Sequence, residues 1–239
     1  MWTPIAPALR PATIADGYRL QRLVHERLSA SGNPRVGWKI GSTSAAGQRV
    51  FGLTEPVYAG LFASGRAVTL VDALARPLRA PSLECEIAFV LGAPLAGSDL
   101  SDAMLADAVA HCHIACEIID NRYGAPLENG VPSLLADGFF HAGYVIGPEN
   151  VDWRSQPLER AQASITIDGT RTTGAATGVL SAFASLRWLA GKLAGSEPLQ
   201  AGDVILTGSI TTPVPIAPPA RDVTLTITGF APLTLHGSA

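Results

Sequence analysis

The amino-acid sequence predicts a mixed α+β protein in which a small helical N-terminal arm precedes a larger β-rich body. One stretch near the N-terminus has apolar residues at helical spacing, and several short apolar runs of strand character follow it. The 24 glycines and 18 prolines are spread along all 239 residues, which favours many turns between short elements. With 47% hydrophobic and 15% charged residues, the chain can bury a substantial core.

The N-terminal arm contains the clearest helix of the sequence. Apolar side chains recur at helical spacing over residues 13–30, and Thr13 and Asp16 have the spacing of a capping box. Short β-type runs broken by glycines follow at 36–41 and 57–62. The proline-containing stretch 74–81 separates this arm, residues 1–75, from a body that comprises residues 76–239.

Six further strands and two helices are predicted in the body. The strands are 84–91, 114–120, 142–146, 163–167, 203–207 and 223–228, and the helices are 99–110 and 181–194. No apolar run reaches the roughly 18 residues of a membrane span, and the first residues are a poor secretory signal. We therefore expect no membrane partner.

Composition and motifs exclude several classes of function. The chain has 17 basic and 20 acidic side chains and a net charge of −3, which argues against a nucleic-acid partner. The odd set Cys85, Cys112 and Cys116 predicts reduced thiols and a cytoplasmic protein without disulfides. No Gly-x-Ser-x-Gly elbow, P-loop or dinucleotide-binding glycine motif is present, which disfavours serine hydrolases, NTPases and nucleotide-dependent dehydrogenases.

Three glutamates interrupt apolar strand-like runs. Glu84 and Glu86 share one face of strand 84–91, and Glu117 lies within strand 114–120. Ionised acids in such runs are costly unless a positive charge neutralises them. An all-oxygen set suits a hard cation such as Mg²⁺ or Mn²⁺. The alternative is a solvated strand face, with Glu84 or Glu86 exposed and paired with a neighbour such as Arg122.

Histidines give weaker signals. His111, Cys112, His113 and Cys116 superficially resemble zinc ligands, but their spacing differs from that of known zinc sites. His141 is interpreted as an ordinary core or loop histidine, and its alternative role is that of a proton carrier near Asp137.

Several motifs, in the same order, resemble the fumarylacetoacetate hydrolase superfamily and its branch of 2-keto-4-pentenoate hydratases and 4-oxalocrotonate decarboxylases. The strand Leu-Glu-Cys-Glu-Ile-Ala-Phe-Val at 83–90 and the run Glu-Ile-Ile-Asp-Asn-Arg-Tyr at 117–123 carry the likeness. The glycine-flanked lysine at 37–44, Leu-Ala-Asp at 135–137 and Ala-Gly-Asp to Gly-Ser at 201–209 extend it from about residue 36 to the C-terminus. The chain departs from the family at Gly138, where asparagine is usual, at Phe139 and Phe140, and at Val57.

The resemblance implies a mixed β-rich fumarylacetoacetate hydrolase-like catalytic fold and a homo-oligomer. It also implies that Glu84, Glu86 and Glu117 bind Mg²⁺ or Mn²⁺, which acts as a Lewis acid on a short 2-keto or 2-hydroxydienoic acid from aromatic-compound breakdown. We expect a hydratase. A 4-oxalocrotonate-type decarboxylase, a β-diketo-acid C–C hydrolase and a catalytically silent binding relative are the alternatives.

Three further residues receive roles in this reaction. Three carboxylates around a divalent ion would repel an anionic substrate, so a cation is needed, and Lys39 among its glycines is the candidate. Lys39 or Asp137 is expected to act as the catalytic acid or base, and Lys39 also to contact the substrate. Ser209 is expected to bind the substrate carboxylate through its hydroxyl and adjacent N–H groups.

Overall fold

Two β-sheets form the centre of the protein. The computed structural model describes residues 5–217 and 222–237 of the chain. Within those residues the helices are α1 (Ile14–Ala30), α2 (Ala45–Phe51), α3 (Leu70–Leu74), α4 (Asp102–Ala108), α5 (Val131–Ala136) and α6 (Ala182–Leu193). The strands are β1 (Arg35–Gly41), β2 (Val57–Phe62), β3 (Pro81–Leu91), β4 (Val109–Asp120), β5 (His141–Glu149), β6 (Gln162–Ile167), β7 (Thr170–Ala175), β8 (Val204–Ser209), β9 (Val214–Pro215), β10 (Asp222–Ile227) and β11 (Leu233–His236). The predicted α+β class is confirmed.

The larger sheet has seven strands among the described residues, in the order β2-β1-β8-β3-β4-β5, with the short β9 also paired to β3. Strands β1 and β8 run parallel and the other pairs are antiparallel. Since β1 and β2 precede residue 75 and the other strands follow it, one sheet includes both parts of the chain. The division into residues 1–75 and 76–239 stays a prediction.

The main hydrophobic core lies between the two sheets. The smaller sheet, in the order β11-β10-β6-β7, contributes side chains such as Ile165 and Leu225. The larger sheet contributes Cys85, Ile87 and Phe89 from β3. Because side chains alternate along a strand, Glu84 and Glu86 lie on the opposite face of the larger sheet, away from this core.

Strand β4 begins earlier than the sequence predicts. The predicted helix 99–110 is too long at both ends, because α4 spans only Asp102–Ala108 and Val109 already pairs with Leu91 of β3. The backbone N–H groups of Gly92 and Ala93 donate to the carbonyl of Ala108, and Val109 is fully buried. Tertiary pairing and burial therefore end the helix where local spacing would continue it.

Helix α1 has the predicted capping box between Thr13 and Asp16, but it packs through an unexpected face. Its buried residues are Gly17, Gln21 and His25, whereas Leu23 and Val24 are exposed. A Cβ atom at Gly17 would lie 2.5 Å from the carbonyl oxygen of Pro132, so glycine allows α1 to approach α5 closely. No helix among the described residues has the length and apolarity that crossing a bilayer requires.

His25 is expected to make the protein sensitive to acid. Burial, reinforced by Arg35, lowers the pKa of His25 to about 4, and its Nδ1 atom has no hydrogen-bond partner. The unfolded chain binds a proton near pH 6.5, so native stability falls by about 3 kcal/mol as the pH drops from 6.5 to 4. Urea titrations at several pH values should show that His25→Phe removes this loss and that exposed His236→Phe does not. Equal pH dependence in wild type and His25→Phe would contradict the assignment.

Candidate metal centre

Strands β3 and β4 bring the three predicted glutamates together. Glu84 and Glu117 are direct partners across the two antiparallel strands, and Glu86 is two residues further along β3 on the same face. One carboxylate oxygen from each of the three lies within 4.8 Å of the others. Glu86 is 0% exposed, Glu117 is 1% exposed and Glu84 is partly exposed. The solvated-face alternative is therefore wrong for Glu86.

The charges of these carboxylates are poorly compensated without an ion. Burial, reinforced by the charge of Glu117, raises the pKa of Glu84 to about 8. Burial and the charges of Glu117 and Glu84 raise the pKa of Glu86 well above its ordinary value. Burial would also raise the pKa of Glu117, but Lys39 and His141 outweigh it and bring this pKa below its ordinary value. The cluster therefore favours an added positive charge.

The hydrogen bonds leave suitable oxygen atoms free. Glu86 Oε2 accepts a 2.9 Å hydrogen bond from the backbone N–H of Gly208, whereas Glu86 Oε1 is buried without a partner. Glu117 Oε1 lies 2.8 Å from His141 Nδ1 and 3.4 Å from Lys39 Nζ. A buried oxygen without a partner is costly, and hard divalent cations prefer such carboxylate oxygens. The three residues thus fit a hard divalent ion.

Lys39 lies inside the protein beside this cluster. It is in the middle of β1, its side chain is 3% exposed, and its Nζ donates a 2.8 Å hydrogen bond to the carbonyl oxygen of Phe139. A Cβ atom at Gly41 would lie 3.4 Å from Nζ and 3.2 Å from the Phe139 ring, so glycine leaves the space that the ammonium group occupies. Lys39 is therefore a buried residue of β1 and does not face solvent.

A turn after α5 carries three of the four residues at which the sequence departs from the resembled family. Gly138, Phe139 and Phe140 all have positive φ, at 81°, 49° and 68°. Such φ values are strained for side chains as bulky as phenylalanine. Phe139 and Phe140 pack on each other and on Phe51, and Lys39 holds the Phe139 carbonyl. Ring packing and the lysine therefore stabilise a backbone that the sequence does not predict.

Asp137 forms an ion pair with the guanidinium group of Arg122. Its Oδ2 atom accepts a 2.6 Å hydrogen bond from Arg122 Nη1, and Arg122 also donates to the backbone carbonyls of Asp137 and His141. Arg122 thus pairs with Asp137 and, at 3.8 Å, with Asp120, rather than with Glu84 or Glu86 as in the solvated-face alternative. The catalytic role of Asp137 stays a prediction.

Ser209 lies opposite Glu86 in the pairing of β8 with β3. Its hydroxyl donates a 2.8 Å hydrogen bond to the carbonyl oxygen of Thr211. The structure therefore places Ser209 beside the carboxylate cluster, with its hydroxyl engaged within the turn. Substrate binding by Ser209 stays a prediction.

Gly208→Ala is expected to weaken both the fold and the metal centre. Gly208 has a φ of 102°, and a Cβ atom there would lie 2.4 Å from Thr43 Cγ2. The backbone would have to shift together with the N–H group that holds Glu86. Gly202→Ala is the matched control, because Gly202 has a φ of 92° and open space around it. In thermal unfolding with and without MnCl₂, only Gly208→Ala should lose most of the metal-induced rise in Tm. Equal losses in both variants would refute this explanation.

Sequence reasoning missed the contact of His141 with Glu117. The spacing of residues 111–116 disfavours a zinc site, and the structure places fully buried Cys112 in the main core and exposed His111 on the opposite face of β4. His141 is 24 residues from Glu117, and no spacing rule joins them because only the pairing of β5 with β4 brings them together. The signal available in the sequence was an isolated histidine at the start of a predicted strand.

Comparisons of sequence and fold show which known proteins this chain is similar to. The model of the fumarylacetoacetate (FAA) hydrolase C-terminal family matches residues 54–236. The 2-keto-4-pentenoate hydratase of Paraburkholderia phymatum is 32% identical over 205 residues, 83% of this chain and 76% of that protein. The 4-oxalocrotonate decarboxylase of Pseudomonas putida is 32% identical over 216 residues, 86% and 79% of the two chains. A solved 4-oxalocrotonate decarboxylase from Pseudomonas putida G7, complexed with magnesium and adipate, has a TM-score of 0.82 at 29% identity and covers 94% of this chain and 86% of its own.

Proposed function

We propose that this chain, which belongs to the fumarylacetoacetate hydrolase family, is a divalent-metal-dependent hydratase that adds water to a short 2-hydroxydienoic or 2-keto acid in aromatic-compound catabolism. The observation that carries the proposal is the convergence of three carboxylates, two of them fully buried, with a buried lysine on one of them. A 2-oxo-hept-4-ene-1,7-dioate hydratase of Escherichia coli, 33% identical over 85% of this chain, supports the reaction class.

Glu84, Glu86 and Glu117 would hold the metal ion. Magnesium and calcium complexes of the related decarboxylase support a divalent cation, and we propose Mg²⁺ or Mn²⁺ because every ligand offered is a carboxylate oxygen. When bound, the ion supplies a Lewis acid for the 2-oxo group of the substrate. Glu86 Oε1 is buried without a hydrogen-bond partner, and both donors to Glu117 approach its Oε1 atom.

Lys39 would make the site neutral and bind the anionic substrate. The negative charges of the three carboxylates exceed the charge of a divalent ion by one, and the Lys39 ammonium supplies the missing positive charge. A lysine has three N–H donors, and the structure directs one to Phe139 and one toward Glu117. The third remains for a substrate oxygen. Because Lys39 and Glu117 are buried, their interaction is only weakly screened by solvent.

Proton transfer is assigned to Lys39 first, with Asp137 as the second candidate. Lys39 belongs to the carboxylate cluster, whereas Asp137 pairs with Arg122. A group that transfers the proton contributes about 10²- to 10⁴-fold to the rate. Asp137→Asn keeps an acceptor for Arg122, so a loss of kcat/KM below tenfold in steady-state assays would remove Asp137 from the proton-transfer step. A loss above a hundredfold would assign the step to it.

Ser209 is proposed to orient the substrate carboxylate. Its position opposite Glu86 supports this role. To bind the substrate, the Ser209 hydroxyl would have to give up its hydrogen bond to the Thr211 carbonyl and donate to the substrate carboxylate instead. Ser209→Ala should therefore raise KM with little change in kcat. An unchanged KM would remove Ser209 from the substrate site.

The second candidate function is decarboxylation of a 4-oxalocrotonate-type acid, favoured by the TM-score of 0.82 to a decarboxylase. To separate hydration from decarboxylation, the purified chain is incubated with 2-hydroxydienoates and 2-keto acids in the presence of Mg²⁺ or Mn²⁺. The masses of the products are then measured by mass spectrometry. Hydration adds the mass of water, and decarboxylation removes the mass of carbon dioxide. Saturable binding without turnover in any metal would contradict both and leave a binding relative.

Assembly into a homo-oligomer is part of this proposal. The small charged fraction of 15% and the exposed apolar side chains Leu23 and Val24 on α1 support it. Light scattering at micromolar concentration should give a mass that is a multiple of 24.8 kDa. A monomer mass would contradict it.

A further inference from the structure

His141 is the buried neighbour of one proposed metal ligand. It is the first residue of β5, which pairs with β4, and its Nδ1 lies 2.8 Å from Glu117 Oε1. The side chains are 10% and 1% exposed, so water does not compete freely for this contact. The interaction is a directional hydrogen bond inside the protein.

The direction of this hydrogen bond follows from its geometry. Lys39 Nζ lies 3.4 Å from the same oxygen, Glu117 Oε1, so this oxygen is the acceptor of the pair. A ring nitrogen 2.8 Å from such an acceptor carries a proton, so Nδ1–H of His141 donates to Glu117 Oε1. Nε2 is buried and has no hydrogen-bond partner.

The same carboxylate oxygen receives two donors. His141 Nδ1 and Lys39 Nζ both approach Glu117 Oε1, at 2.8 Å and 3.4 Å, which leaves Oε2 of Glu117 for another partner. We infer that His141 is a positioning residue that fixes the rotation of the Glu117 carboxylate and so presents Oε2 to the divalent cation. This inference rests on the proposed metal centre.

Lys39 does not make His141 redundant. A lysine ammonium is a compact charge on a flexible stem, and it is also tied to the Phe139 carbonyl. The imidazole is planar and lies on a separate strand, so it restricts the direction from which Oε1 is approached. Lys39 compensates charge and His141 sets orientation. Partners that orient a ligand in this way typically change metal affinity by about 10- to 100-fold when removed.

Electron paramagnetic resonance of Mn²⁺ titrated into the purified full-length chain tests the inference. His141→Leu removes the donor, His141→Asn places an amide N–H near the position of Nδ1, and His141→Gln places one near Nε2 instead. His113→Leu is the matched control, because His113 Nδ1 lies 3.0 Å from the backbone carbonyl of Gly147 and the described hydrogen bonds and ion pairs do not join it to Glu84, Glu86 or Glu117. Mn²⁺ affinity should fall about tenfold or more in His141→Leu and His141→Gln. It should remain close to wild type in His141→Asn and His113→Leu.

Activity provides a second readout. In His141→Leu, kcat should return toward the wild-type value at saturating Mn²⁺, because the ligand remains and only its orientation is lost. Equal affinity in His141→Asn and His141→Gln, or wild-type affinity in His141→Leu, would overturn the inference. Failure of the wild-type chain itself to bind Mn²⁺ would instead overturn the proposed metal centre. The two failures are therefore distinguishable.

Discussion

Glu86→Gln is expected to abolish metal-dependent turnover and, at the same time, to stabilise the metal-free protein. The side chain is fully buried, one of its oxygens has no partner, and its neighbours include two further carboxylates. Loss of a ligand removes the ion, and with it several kcal/mol of transition-state stabilisation, or at least about a hundredfold in rate. In the metal-free protein, replacing the carboxylate of Glu86 by an amide removes its repulsion with the carboxylates of Glu84 and Glu117.

The stabilising effect should depend on pH in a defined direction. The pKa values of Glu84 and Glu86 lie above the unfolded value of 4.5, so their burial costs stability increasingly as the pH rises above about 4.5. Glu86→Gln removes one of these contributions. Metal-free Glu86→Gln should therefore exceed wild type in stability by roughly 1–3 kcal/mol, with a larger gain at pH 8 than at pH 6.

Urea unfolding in EDTA and in MnCl₂ measures both effects. Asp120→Asn is the matched control, because Asp120 is also buried but accepts the backbone N–H groups of Arg79 and Ala80. The control should keep the stabilisation by Mn²⁺, and Glu86→Gln should lose it. A Glu86→Gln protein that is less stable than wild type in EDTA, or that still responds to Mn²⁺, would refute the assignment. A general folding defect would lower stability in EDTA, so it cannot account for a variant that is more stable in EDTA and yet is not stabilised by Mn²⁺.

The parts of the fold that the sequence predicts are those in which local chemistry and tertiary structure agree. Helix α1 begins at its capping box, and β3 follows an alternation in which apolar residues face the core and glutamates face away. The pattern of acids in apolar strands left a metal site and a solvated strand face open for Glu84, Glu86 and Glu117, and the ordered motifs of the resembled family favoured the metal site. Lys39 was predicted as the compensating cation because three carboxylates around a divalent ion leave one negative charge.

The parts that the sequence does not predict depend on tertiary contacts. The buried face of α1 is polar because Gln21 donates to the carbonyls of Leu135 and Tyr58, which no periodicity signals. The helices α3 and α5 are shorter than two turns and the strands β9 and β11 have at most four residues, so no pattern indicates them. Helix α2 buries none of its residues and β7 has no large apolar side chain, so neither shows a periodicity. The turn at 138–140 places phenylalanines at positive φ, against their intrinsic preference.

Lys39→Met is expected to have the second large effect, on stability and on substrate binding together. Lys39 Nζ and Glu117 Oε1 are 3.4 Å apart, and both side chains are nearly inaccessible to water. Removing one partner of a buried ion pair typically costs about 3–5 kcal/mol, because the remaining charge is uncompensated. Without the ammonium, the site also repels an anionic substrate, so KM should rise and kcat/KM should fall by about a hundredfold or more.

A double-mutant cycle separates charge compensation from packing. Methionine fills much of the volume of lysine, so a packing defect in Lys39→Met would persist when Glu117 is changed. If the cost is the uncompensated carboxylate, Lys39→Met/Glu117→Gln should recover about half of the lost stability in EDTA, with a coupling energy of about 2 kcal/mol. Lys39→Arg keeps the charge but not the shape, so it should retain more stability than Lys39→Met while still losing activity. Additive effects of the two single changes would show that Lys39 and Glu117 do not stabilise each other.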